Sequence, residues 1–179
     1  MQFGRALQRS GSFLMTGLLI GLLGAGPVSA REGRPPLGLQ LYCLQNRDTC
    51  NKASATSIAA SSKLISLLQL VNSRVNAAIS PRSDSGMDSW SSNASSGDCE
   101  DYVMAKRQAL IANGVPAGAL HVAYTTTRSS EGHAVLVVDT SSGQLVLDNL
   151  VGEVKTLDAS GYRVQHMSSG GLLQWVSYN

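Results

Sequence analysis

Three side chains in this sequence, Cys99, His133 and Asp148, have the types and placement for acyl-transfer chemistry. Cys99 lies in "SSGDCEDYVMAKRQAL" (95–110), where a Ser/Gly loop runs into a helical pattern. The first turn of a helix carries the equivalent of about half a positive charge, which favours the thiolate, the nucleophilic form. Asp98, Glu100 and Asp101 crowd the same turn and oppose it. A nucleophilic thiol also needs a base, and the base needs a group that holds its tautomer. Of the three histidines, His121 and His166 suit surface or hydrogen-bonded core positions. His133 opens "HAVLVVD" and Asp148 closes the apolar part of "QLVLDNLV", so folding about "TSSG" brings both to one edge of a sheet. They share a face if positions paired across the hairpin add to an odd number. A loop of two or four residues satisfies this, and a three-residue loop ending at Gly143 does not unless a bulge restores it. The register stays open at this level, as does a plain turn at Asp148-Asn149.

The acidic trio has two readings. Three carboxylates within four positions repel one another, and a divalent cation with oxygen ligands, Ca²⁺ above all, would offset that repulsion. Asp98, Glu100 and Asp101 cannot fill a shell of six or more oxygens alone, so loop residues or backbone carbonyls must contribute. The other reading is a helix cap from Asp98, with solvated acids paired to Lys106 or Arg107.

The elements that must position these groups follow from periodicity. "SATSIAASSKLISLLQLVNSRVNAAI" reads as helix in one or two pieces, with Leu64, Ile65, Leu68, Leu70 and Val71 on its apolar stripe. The helix from Asp98 stops at Asn113-Gly114, with Pro116 beyond. Cys99, Tyr102, Val103 and Leu110 fall on its inward sector. From "ALHVAYTTT" onward the period is two, and "HAVLVVD", "QLVLDNLV", "GYRVQHM" and "LLQWVSYN" read as strands. Helices followed by an antiparallel sheet make an α+β domain. Residues 31–40 read as irregular. The Ser/Asp/Asn-rich stretch 80–97 reads as a functional loop, in which Trp90 either plugs the core or lines a cleft.

Bulk properties set the compartment. Residues 1–30 have Arg5 and Arg9, an apolar run and a "VSA" cleavage signal, the anatomy of a secretory signal peptide; an uncleaved anchor is the rival reading. The domain proper is then 31–179, with no membrane span after cleavage. Setting aside the two signal arginines leaves twelve basic against twelve acidic side chains, unclustered, so nucleic acid is not the partner. Export implies an oxidising compartment. Cys43 and Cys50 can close a small disulfide loop if a turn at "QNRD" breaks the helix between them, and Cys99 is then the odd thiol.

The segments "GDCEDYVMAKRQALIANGVP" and "EGHAVLVVDTSSGQLVLDN", with "RVNAAISPRSD" upstream, resemble the bacterial transglutaminase-like cysteine peptidases. The resemblance covers most of 38–179 in order. It implies a papain/transglutaminase-like α+β fold, in which the nucleophile-bearing helix packs on an antiparallel sheet. It makes Cys99 the nucleophile, His133 the base and Asp148 the orienter, with Asp98, Glu100 and Asp101 at a Ca²⁺ site and no organic cofactor. The best-known members are periplasmic, calcium-dependent endopeptidases that release large surface adhesins and so detach biofilms, held in check by an inner-membrane cyclic-di-GMP receptor. The resemblance therefore implies a periplasmic endopeptidase acting on a protein or peptide substrate. The same triad also serves a transglutaminase or a cell-wall amidase, and a non-catalytic calcium-responsive binding domain is a further alternative.

Overall fold

The computed structural model describes residues 31–51 and 55–178; the expected signal peptide, 1–30, lies outside them. In chain order the elements are β1 (Arg31–Gly33), α1 (Leu37–Gln45), α2 (Arg47–Cys50), α3 (Ser62–Ala78), β2 (Ser80–Pro81), β3 (Ser96–Gly97) and α4 (Cys99–Ala112). Then come β4 (Leu120–Thr126), β5 (Gly132–Thr140), β6 (Gly143–Leu147), β7 (Lys155–Thr156), α5 (Leu157–Ser160), β8 (His166–Ser168) and β9 (Trp175–Ser177). Seven strands form one sheet in the order β1-β9-β8-β4-β5-β6-β7. Every pairing within it is antiparallel. This is the α+β architecture that the order of periodicities predicts.

The sheet has two covered faces, which is why its central strands are apolar on both sides. Leu120, Val122, Ala134, Leu136, Val138 and Leu147 join the main core with α1, α3 and α4. Ala123, Val135, Val137, Val146 and Met167 form a smaller core on the other face, beneath Leu157, Tyr162 and Val164. Truncating a fully buried leucine such as Leu68 or Leu110 to alanine would cost about 2–5 kcal/mol.

Local chemistry explains where the elements start and stop. α4 ends at Ala112 with Asn113 as its cap, and Gly114 adopts φ +85°, the left-handed stop. α3 is shorter than its pattern suggests. It begins at Ser62 because the Ser61 hydroxyl accepts the Leu64 amide, while Ile58 upstream is extended and bridges Thr140. Leu64, Leu68 and Val71 repeat on its inner face and are buried, whereas Ile65 and Leu70 fall off that face and are 42% and 46% exposed. Residues 31–40 are not irregular: Arg31–Gly33 pairs with β9, and α1 opens directly after Pro36. A proline there is compatible with a helix start, since first-turn amides need no intrahelical partner.

Cys43 and Cys50 form a disulfide with their Cα atoms 5.7 Å apart. Seven residues of continuous helix would separate them by about 10 Å along the axis. The chain instead breaks at Asn46, whose side chain donates to the Tyr42 carbonyl at 2.9 Å. Arg107 of α4 holds the second helix by donating to the Thr49 carbonyl at 2.8 Å. Trp90 is buried, and it also borders a cavity with Tyr42, Met87 and Asp88. It packs edge-on to Tyr124 and donates its indole N–H to Asp88 at 2.8 Å, plugging the 80–97 loop onto the core.

Candidate active site

The β5–β6 hairpin decides whether His133 and Asp148 meet. Its loop is the two residues Ser141 and Ser142, with Gly143 at φ +112°, and Leu136 pairs with Leu147, Val137 with Val146. Paired positions therefore add to an odd number, and the two side chains share a face. His133 Nε2 lies 2.9 Å from Asp148 Oδ1, and both side chains are almost fully buried. The carboxylate has further donors. The Leu150 amide reaches Oδ1 at 2.9 Å and the Tyr162 hydroxyl reaches Oδ2 at 2.5 Å, while Asn76 of α3 donates to the Asp148 carbonyl. Burial pushes the Asp148 carboxyl up, but the hydrogen bonds from His133, Tyr162 and Leu150 prevail and hold it below the usual carboxylate range. An ionised carboxylate only accepts, so Nε2 carries the proton and Nδ1 is the basic nitrogen.

Cys99 reaches this region from α4. It is half-buried against the main core, and the Ala134 amide, one residue beyond His133 on β5, faces its sulfur. Strand alternation places His133 with Val135 and Val137 on the face away from α4. In this structure the Cys99 thiol donates to Glu100 Oε2 at 2.9 Å. Tyr124 donates to the other oxygen of Glu100 at 3.0 Å. Burial, then the Glu100 charge, push the thiol far above its ordinary range, while the Ala134 amide pulls weakly the other way.

The flanking acids separate. Asp98 occupies the N-cap position but makes no capping bond; its carboxylate joins Asp84 and Asp88, with one oxygen from each within 4.8 Å of the others. Asp98 Oδ1 is buried without a hydrogen-bond partner among the described residues. Its carboxyl is pushed up to about 6 by burial and by the charges of Glu100 and Asp84. Three convergent carboxylates and one orphaned buried oxygen are a donor set that fits a hard divalent cation such as Ca²⁺. Glu100 instead faces Cys99 and Tyr124. Asp101 turns back under the loop, accepting the Ser91 amide at 2.8 Å, and burial pushes its carboxyl up to about 6. Lys106 and Arg107 are buried in α4 and neither forms an ion pair with these acids among the described residues.

His121 and His166 are engaged elsewhere. His121 is buried between the Ser168 carbonyl and Asp139, and His166 bonds Ser177. Sequence reasoning missed Asp84, Asp88 and Tyr162. The two aspartates stand in a stretch whose composition marks it as functional, but their convergence on Asp98 depends on how the loop folds back. Nothing in "GYRVQHM" distinguishes Tyr162 from an ordinary strand aromatic.

Residues 29–179 match the profile of the bacterial transglutaminase-like cysteine proteinases. No curated protein matches the sequence. Among solved structures, calcium-bound LapG of Legionella pneumophila aligns with a TM-score of 0.53 at 26% identity, over 62% of this chain and 66% of that one. A second L. pneumophila LapG structure gives 0.52 at 26%, over 62% and 65%. The chain thus spans just under two thirds of the length of these two. EGTA-treated L. pneumophila LapG, at 21% identity and a TM-score of 0.52 over 74% of this chain and 82% of that one, shares the fold. With the profile covering the whole described domain, the chain belongs to the bacterial transglutaminase-like cysteine proteinases.

Proposed function

We propose that the protein is a cysteine endopeptidase in which Cys99 is the nucleophile, His133 the general base and Asp148 the orienting group. The observation that carries this reading is the buried His133–Asp148 pair, on the strand whose Ala134 amide faces the Cys99 sulfur. In the reaction, Nδ1 of His133 takes the thiol proton as sulfur attacks the scissile carbonyl. The developing oxyanion meets the Cys99 backbone amide at the helix N-terminus and a second donor from the preceding Ser/Asn loop. His133 returns the proton to the leaving amine, then takes one from the water that hydrolyses the thioester, restoring the thiol and releasing the acid. Asp148 keeps the proton on Nε2 throughout and stabilises the imidazolium between steps.

Asp84, Asp88 and Asp98, supplemented by loop oxygens, are the residues that would hold a calcium ion, with Glu100 and Asp101, the acids the family resemblance implies, around the same turn. When bound, the ion supplies positive charge that offsets the carboxylates around the nucleophile. The likeness to LapG, one structure of which is calcium-bound, supports this assignment. The substrate class is an exported or surface polypeptide in the periplasm, a large adhesin in line with the family resemblance, with a membrane cyclic-di-GMP receptor as the corresponding partner.

The test is hydrolysis of an unfolded protein substrate. Cys99→Ser and His133→Ala should each lower kcat/KM by about 10³-fold or more. Alkylation of Cys99 by iodoacetamide near neutral pH should slow in His133→Ala. Equal alkylation in both proteins and no hydrolysis would leave a non-catalytic binding domain. Incorporation of a labelled amine faster than hydrolysis would make the enzyme a transglutaminase.

A further inference from the structure

Tyr162 has no chemical part in the mechanism above, yet it contacts both members of the buried pair. Its hydroxyl donates to Asp148 Oδ2, and its ring lies 5.8 Å from the His133 ring at 53°. Oδ1 is taken by His133 Nε2 and the Leu150 amide. Donors from three chain segments therefore fill both carboxylate oxygens, and the group cannot turn without leaving a buried oxygen bare, which is costly.

The chain is built to deliver Tyr162 to this place. Thr156 caps the single turn of α5 by accepting the Ala159 amide, and Gly161 ends it at φ +75°. The Ser160 hydroxyl then accepts the Tyr162 amide at 3.2 Å. Other charges near the pair are Lys106, which acts on Asp148 from α4, and Arg128, which acts on Tyr162.

From these contacts we propose that Tyr162 is a positioning residue, its hydroxyl fixing the plane of the Asp148 carboxylate and its ring limiting rotation of His133, so that Nδ1 is presented to the thiol. The inference rests on the peptidase reading. Without the hydroxyl, Asp148 retains its partners on Oδ1 but gains freedom to rotate, and the imidazole spends less time in the productive orientation.

Tyr162→Phe keeps the ring and removes only the hydroxyl. Its kcat should fall about tenfold, the scale of one hydrogen bond to a charged group, with KM within about twofold. The downfield NMR resonance of the His133 Nε2 proton should shift, because its carboxylate partner has changed. Gly161→Ala, which strains the left-handed turn and displaces Tyr162 with its hydroxyl intact, should produce a milder fall in kcat and serves if Tyr162→Phe folds poorly. Unchanged kcat and an unchanged resonance overturn the inference. So does a rise in KM alone, which would make Tyr162 a substrate-binding group. Full activity in Asp148→Asn would overturn the triad itself, and the inference with it, whereas inactive Asp148→Asn with unaffected Tyr162→Phe overturns the inference alone.

Discussion

The Cys99 thiol and the Glu100 carboxylate face each other at 2.9 Å, with the thiol donating, and the Tyr124 hydroxyl holds the far side of the same carboxylate. This arrangement keeps an anion against the group that must itself become an anion in order to react. The helix terminus and the Ala134 amide favour thiolate, and burial with Glu100 outweighs them.

Glu100→Gln should therefore release the thiol. Removing the charge lowers the cost of ionising Cys99, and a change of about one pKa unit means roughly tenfold more thiolate. Iodoacetamide alkylation of Cys99, followed in chelator near neutral pH, should accelerate by about that factor over wild type. An unchanged rate would show that burial alone holds the thiol protonated.

The acid cluster gives a prediction whose sign depends on metal. The Asp98 carboxyl is raised from 3.8 to about 6, by burial first and then by Glu100 and Asp84. The folded protein keeps a proton there that the unfolded chain has released, so stability falls as pH rises through this window and the full cost is present above about pH 6. In chelator at about pH 7.5, Asp98→Asn should melt above wild type, and the gap should close below about pH 4. With excess calcium the order should reverse, because wild type gains binding energy that the variant lacks. Melting curves and activity indifferent to both calcium and chelator would remove the metal from the account.

Much of this site is legible in the sequence because its positions are set locally. The start of α4 at Cys99 follows from the loop-to-helix change, and its end follows from Asn113-Gly114. The His133–Asp148 pairing reduces to one parity question, which the two-residue turn at Ser141-Ser142 answers. What escaped depends on contacts between distant segments. Asp84 and Asp88 reach Asp98 through a loop pinned by Trp90. Tyr162 reaches Asp148 through a one-turn helix whose four residues carry no periodicity. β1 exists because β9, at the far end of the domain, offers an edge to Arg31–Gly33.

The Cys43–Cys50 bridge should matter for stability more than for chemistry. It closes a short loop across two helices, and Arg107 fastens that loop to α4. Replacing both cysteines by alanine should lower unfolding free energy by about 2–3 kcal/mol in the chain-entropy account. The measurement is denaturant unfolding of the double variant against wild type with the disulfide intact. A loss well under 1 kcal/mol would mean that the helical break at Asn46 holds the loop without it.

Lys106 offers the sharpest pH test away from the acids. It is 1% exposed, its ammonium lies 5.8 Å from the centre of the Tyr102 ring, and no ion pair reaches it among the described residues. Burial lowers its pKa from 10.5 to about 7, with the Asp148 charge opposing. Between these values the unfolded chain binds a proton that the folded protein lacks, so the lysine's contribution to stability rises with pH across the window. Below about pH 7 the folded protein carries the buried ammonium and the penalty is complete. Lys106→Met, close in volume and apolar, should therefore stabilise the protein by roughly 1–4 kcal/mol near neutral pH. That gain should shrink toward zero as pH approaches 10.5, which denaturant titrations of both proteins across the range would show. A gain that does not vary with pH would place the ammonium in water rather than beside Tyr102. A loss would mean that its attraction for Asp148 outweighs the cost of burying it.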